Sequence, residues 1–173
     1  MFSSVKSILG STCANVFTQG RFTHVVPMES QREAGKSLID FTNDVGIPQV
    51  LWTDEAGEFT GKNTEFVKQS RHMRIKLRTA EKGRKNQNYA AENEIGTLKK
   101  RWKLRMAKKK ANRRLWDFGL IYKSEILCRM ARGPGRRTAY VEVTGETPDI
   151  SEWLDFEFYD LVWWLGDMEA TSV

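Results

Sequence analysis

The sequence predicts a mixed α/β domain, a sheet flanked by helices, and three observations carry that expectation. Two short runs rich in β-branched and aromatic residues surround a Gln19-Gly20-Arg21 turn near the N-terminus. Further on, short apolar runs alternate with stretches of helical periodicity. Two longer helical patterns then follow one another through the centre of the chain. At 173 residues the chain is long enough for one core, which at this size buries roughly 70% of the unfolded surface. With 40% apolar and 29% charged residues it is too apolar for a disordered polymer. It has no run of about 18 apolar residues, which excludes a membrane-spanning helix.

The elements follow in order. Residues 13–17 and 22–26 read as the strands of a hairpin. The first 28 residues contain no acid, a composition that partly fits an organellar transit peptide, but strands built into a core would not be cleaved away. Ser30 and Glu33 have capping-box spacing, and Ala34, Leu38, Phe41 and Val45 then recur at helical intervals until Gly46 and Pro48 stop the helix. A strand over 49–53 ends at Asp54, and a short helix is expected around 64–70. Over 73–77, Met73, Ile75 and Leu77 alternate with Arg74, Lys76 and Arg78, a half-buried strand with a basic outer face. Residues 79–88 read as a loop. A long helix from about Tyr89 buries Ala91, Ile95, Leu98, Trp102 and Met106. A second, over 114–131, points Leu115, Phe118, Tyr122, Ile126 and Met130 inward. After a break at Gly133-Pro134-Gly135 come a strand at 140–143, a turn over 145–149 and an aromatic segment at 156–165. The expected division is a core over 1–131 and an extension over 132–173 that carries short strands and an acidic tail.

The net charge of +6 conceals a strong asymmetry. Residues 61–114 carry 19 basic and 4 acidic side chains, net +15, whereas residues 145–173 carry 8 acids and no base. Between 99 and 114 ten residues are basic, beginning with Lys99, Lys100, Arg101 and Lys103, and no acid interrupts them. Like charges at helical spacing repel, and a polyanion relieves that repulsion. The pattern therefore implies nucleic-acid phosphate as partner, with a solvated helix face as the plain alternative. A third reading folds the acidic tail back on the basic helix of the same chain.

Cys13 and Cys128 make no disulfide framework, and with only His24 and His72 beside them no zinc spacing exists. A reducing intracellular compartment is the natural setting. No Walker loop, dinucleotide fingerprint or nucleophile elbow is present. Two carboxylates stand out. Asp54 lies where a strand gives way to a loop, a common place for functional groups, though Asp also favours such turns for its own hydrogen bonding. Glu92 falls at the edge of the buried stripe of its helix with Asn88, Lys99 and Lys103 on the same side, though an acid in a first turn also suits the helix dipole.

Together these pieces resemble a known family. Gly46-Ile47-Pro48 followed by Thr53-Asp54-Glu55-Ala56-Gly57-Glu58-Phe59 is similar to the T-D-N-G-x-E-F stretch of retroelement integrases. Gln87-Asn88-Tyr89-Ala90-Ala91-Glu92 with Leu98-Lys99 resembles their Q-N-G-x-x-E segment, and Thr147-Pro148-Asp149-Ile150-Ser151 a P-D-x-S step in Copia-class polyproteins. Glu55-Ala56 and Tyr89 depart from the family's Asn-Gly and Gly, changes confined to loops. The resemblance implies an RNase H-like fold and metal-dependent DNA strand transfer with Mg²⁺ or Mn²⁺. Asp54 and Glu92 would be two of three catalytic ligands, and Asn88, Lys99, Lys100, Arg101 and Lys103 would contact nucleic acid. The family's first Asp belongs on a preceding strand, yet no acid precedes Glu29. The expectation is thus a retrotransposon integrase fragment that lacks all or part of its first strand and is inactive, nuclear by implication. Its partner would be DNA, with RNA and self-association as further options and no membrane. The alternative is a non-enzymatic basic DNA- or RNA-binding module.

Overall fold

The computed structural model describes residues 5–54, 56–61, 64–79, 89–131, 137–151 and 157–161. Strands β1 (Cys13–Gln19) and β2 (Phe22–Met28) form an antiparallel hairpin, Phe17 opposite His24, each strand two residues longer than expected. Its two-residue loop needs positive φ, which Gly20 supplies at +57°. Side chains alternate across the hairpin with period two. Ala14, Val16 and Val25 face one layer of helices, while Phe17 and Val26 face the other.

The layer under Phe17 and Val26 contains helix α1 (Ala34–Asp44), α2 (Gly57–Thr60) and α3 (Glu65–His72). The expected stripe on α1 holds for Ala34, Leu38 and Phe41, all buried, with Val45 partly so. The capping box forms differently. Residues 31–33 wind as a tight 3₁₀ turn, the Ser30 hydroxyl makes no cap bond, and the Glu33 carboxylate instead accepts from the Glu29 N–H at 2.7 Å. Gly46, at φ +121°, then turns the chain out of the helix. Gly35 lets α1 approach α3, since a Cβ there would lie 2.8 Å from the backbone carbonyl carbon of Glu65.

Strands β3 (Val50–Thr53) and β4 (Lys76–Thr79) pair in parallel, Leu51 opposite Leu77. β4 starts three residues later than expected. The Met73 N–H still bonds the Gln69 carbonyl, and Arg74 takes φ +58°, so the end of α3 claims residues that alternate like a strand. The facing is as expected: Ile75 is buried and Leu77 packs on the same core. Among the described residues the four strands form two separate pairs, with no ladder between them.

The other layer contains α4 (Tyr89–Lys108) and α5 (Trp116–Arg129), joined through a 3₁₀ turn at Arg113–Leu115. α4 buries Leu98 and Trp102, with Met106 partly covered, as its periodicity predicts. On α5 the expected face is wrong: Phe118 and Met130 are more than 40% exposed, and Trp116, Leu120, Leu127 and Cys128 point inward. The helix is apolar on two sides, and Lys123 and Ser124 interrupt the true inner stripe. Ser124 is tolerated there because its hydroxyl donates to the Thr23 carbonyl at 2.7 Å and lies 2.7 Å from the Thr23 hydroxyl.

The expected strand at 140–143 is instead helix α6 (Ala139–Thr144). Tyr140, Val141 and Val143 favour β-structure, but the Thr138 hydroxyl accepts from the Val141 N–H and Gly145 closes the helix at φ +77°. Burial of Ala139 against Phe22 and Cys128 completes the override of local propensity. Of the aromatic segment over 156–165, only 157–161 lies within the described residues, and the loop over 79–88 lies outside them beyond Thr79.

His24 shows how the hairpin is locked to α1. Its ring tilts against Phe41 and its Nε2 lies 3.3 Å from Asp44. Burial pushes its pKa below the ordinary value, outweighing the opposing pull of Asp44 and Asp40. The folded chain therefore holds fewer protons on this group than the unfolded chain, so the stability it contributes above about pH 6.5 is lost as pH falls through the lowered pKa. Urea denaturation at pH 7 and pH 5 should show a smaller acid loss in His24→Gln than in the parent; equal losses would count against this assignment.

Candidate nucleic-acid interface

The basic stretch occupies the second half of α4 and the turn after it. Because Leu98 and Trp102 face the core, helical geometry leaves Lys100, Arg101 and Lys103 on the outside, and all three are exposed. Lys108, Lys110, Arg113 and Arg114 continue the exposed surface, while Lys99 is half-buried. The turn that carries Arg113 and Arg114 is held by the Asn112 side chain, which accepts from the Arg114 N–H at 2.9 Å. Cations at this end of the helix also meet the negative pole of the α4 dipole. Asn88 lies outside the described residues.

Not all of the basic residues are available to a partner. Glu157 binds Arg105 Nη1 at 2.6 Å and Lys109 Nζ at 3.0 Å, and Asp160 pairs with Lys109 as well. Hydrogen bonds from Arg105 and Lys109 pull the Glu157 pKa down to about 2. Lys123 of α5 is buried beside them. Burial lowers its pKa, and the charges of Arg105 and Arg101 lower it further against the pull of Glu157. The periodicity of α4 marked its cations but not these pairings, since the partners lie about fifty residues away.

A second basic element lies on the β3–β4 pair. The Arg78 guanidinium sits over the Trp52 ring at 5.4 Å from its centroid, and the ring is nearly half exposed. The basic outer face of 73–78 was legible as period-two alternation; the stacking on Trp52 was not.

The two candidate ligands occupy the element ends that the motifs imply. Asp54 follows β3 directly, exposed, and its Oδ1 accepts from the Ala56 N–H at 3.3 Å. That local bond is the turn chemistry for which Asp is favoured. Glu92 is exposed in the first turn of α4. Among the described residues no three His, Cys, Asp or Glu side chains gather as a metal-binding group. Mg²⁺ takes near-octahedral oxygen coordination, toward which Asp54 and Glu92 would offer two carboxylates. No helix among the described residues is long and apolar enough to cross a membrane.

No protein-family model and no curated protein matches the chain. Solved structures do. The catalytic core domain of BIV integrase superposes with a TM-score of 0.60 at 14% identity, covering 75% of this chain and 82% of that one. The HTLV-2 integrase catalytic core domain, in a trimeric form in complex with magnesium, gives 0.56 at 12% identity over 76% and 92%. A chain of the simian T-cell lymphotropic virus intasome, in complex with the PP2A regulatory subunit B56 gamma, gives 0.58 at 13% identity over 88% and 59%. At these identities the likeness concerns the fold. The mixed α/β fold of this chain, small sheets flanked by helices, is similar to that of these integrase catalytic cores.

Proposed function

We propose that this chain is a fragment of a retrotransposon integrase, Copia-class-like, that binds DNA through the exposed cations of α4. The observation that carries the proposal is an uninterrupted basic helix face on an integrase-core fold. Asp54 and Glu92 are the ligands that such a fragment retains. In the parent chemistry Mg²⁺ or Mn²⁺ supplies Lewis-acid stabilisation of a phosphodiester displacement. The role of this chain's own residues is simpler: Lys100, Arg101 and Lys103 hold phosphates, with Lys99 and Asn88 as further nucleic-acid contacts. We place the protein in the nucleus, with DNA or RNA as its polyanion and a second copy of itself as a further partner.

Phosphate contacts of this kind are salt-dependent and carry no sequence information. Fluorescence titration against two unrelated duplexes should give equal affinities at each salt concentration. A protein making six to ten phosphate contacts loses about 10³–10⁵ in affinity between 50 and 200 mM salt. Lys100→Gln, Arg101→Gln and Lys103→Gln should each flatten the salt slope by about one. A salt-independent or strongly sequence-dependent affinity would overturn the proposal.

A further inference from the structure

The Glu157–Asp160 turn is arranged as a plug. The Glu157 N–H donates to Asp160 Oδ2 at 2.9 Å and the Asp160 N–H donates to the Glu157 carbonyl at 3.0 Å, so the turn closes on itself and holds both carboxylates toward α4. Tyr159 sits at φ +64°, a left-handed conformation that a non-glycine residue adopts only where its surroundings impose it. Between the two acids, Phe158 packs 5.6 Å from the Tyr122 ring, in a groove lined also by Leu115, Phe118 and Ile121. Gly119 makes room for it: a Cβ there would come within 3.2 Å of the Phe158 ring. Phe158 thus gives the turn an apolar anchor as well as two charges.

Beneath the turn lie Arg105, Lys109 and the buried Lys123, with Arg101 alongside. Arg101 and Arg105 on α4, Lys109 in the turn just after it and the buried Lys123 on α5 repel one another in a partly desolvated setting, and an anion between them relieves it. A phosphodiester backbone supplies anionic oxygens of the same kind. The acids of this turn therefore stand where phosphates of a duplex lying along α4 would reach.

We propose that the Arg105–Lys109–Lys123 face of α4 and α5 is an anion-binding surface which the chain's own Glu157–Asp160 turn occupies, in competition with nucleic-acid phosphate. The competition half rests on the nucleic-acid reading of α4; the docking half does not. Displacing the turn extends the phosphate track from Lys100–Lys103 through Arg105 to Lys109. The chain thereby holds its own affinity for DNA below what its basic residues would otherwise give.

The test uses the full chain, a single random-sequence duplex and fluorescence anisotropy at several salt concentrations. The double variant Glu157→Gln/Asp160→Asn should bind several-fold tighter than the parent and steepen the salt slope by roughly two, one for each cation released. Glu29→Gln/Glu146→Gln, which removes the same charge elsewhere on the surface, should produce less of both effects. Phe158→Ala changes no charge yet should also tighten binding by loosening the turn. Independently of DNA, the side-chain carboxyl of Glu157, followed by NMR, should titrate near 2 and return toward the ordinary glutamate value in Arg105→Gln/Lys109→Gln. Equal tightening in both double variants, with Phe158→Ala unchanged, would overturn the competition. An ordinary Glu157 titration in the parent would overturn the docking. Failure of every variant to bind any duplex, with Glu157 still titrating near 2, would sink the nucleic-acid reading while leaving the docked turn in place.

Discussion

Strand transfer by the 173-residue chain should be undetectable with either Mg²⁺ or Mn²⁺, and an Asp54→Asn variant should be indistinguishable from it. The resemblance assigns three carboxylates to the chemistry, and this sequence offers Asp54 and Glu92 with no acid before Glu29. Two carboxylates would offset less of the charge of two cations than three, so one of the two would be held poorly. In a two-metal displacement that leaves either the attacking or the leaving oxygen without stabilisation. The loss is several kcal/mol, and at about 1.4 kcal/mol per tenfold it amounts to roughly 10²–10⁴ in rate. The decisive assay is nicking of a labelled duplex by the purified parent beside Asp54→Asn. Cleavage by the parent that disappears in the variant would show that another group completes the ligand set.

Trp116→Ala should cost about 3–5 kcal/mol of stability, a large share of the roughly 5–15 kcal/mol that a domain possesses. The side chain is 1% exposed and sits where α4, α5 and the hairpin meet, among Val25, Leu98, Trp102, Leu120 and Leu127. Removing an indole from that junction leaves a cavity that three different elements would have to move to fill. Trp116→Phe should be much milder. It keeps most of the volume, and it deletes an indole N–H that is buried with no hydrogen-bond partner among the described residues, a group that costs stability as it stands. Urea denaturation midpoints measure both. A Trp116→Ala chain as stable as the parent would mean that this layer does not form the core. Phe118→Ala, by contrast, trims a side chain that is 42% exposed, and it should fall well short of the Trp116 effect.

The contrast between Trp116 and Phe118 marks how far one-dimensional periodicity reaches. α5 carries apolar residues on two sides, and its inner face contains Lys123 and Ser124. Counting from Leu115 and counting from Trp116 give equally good helical stripes. The choice between them is made by Thr23, which pairs with Ser124 and Cys128 from a strand about a hundred residues earlier. At 139–144 the same limit appears in another form, because the β-branched residues speak for a strand while the cap at Thr138 and the burial of Ala139 speak for a helix. The carboxylates belong to the same class. The motifs place Asp54 after a strand and Glu92 in the first turn of a helix, and both lie there, but motif spacing carries no information on a coordination shell.

From sequence alone came the order of the elements through α5 except the short helix α2, the Gly20 hairpin, the inner stripes of α1 and α4, and the concentration of positive charge in the middle of the chain. These are local properties: a turn, a cap or a helical stripe is settled among residues a few positions apart, whose backbone geometry is nearly the same in any fold. The tertiary structure alone decided which side of α5 is buried and that residues 139–144 coil into a helix. It also decided which of the α4 cations face solvent and which are held by Glu157 and Asp160. Those outcomes turn on contacts between residues fifty to a hundred positions apart. There, burial and charge pairing outweigh local preferences of a few tenths of a kcal/mol, and the charge blocks along the chain allow an acidic tail to meet the basic helix without recording which residues pair.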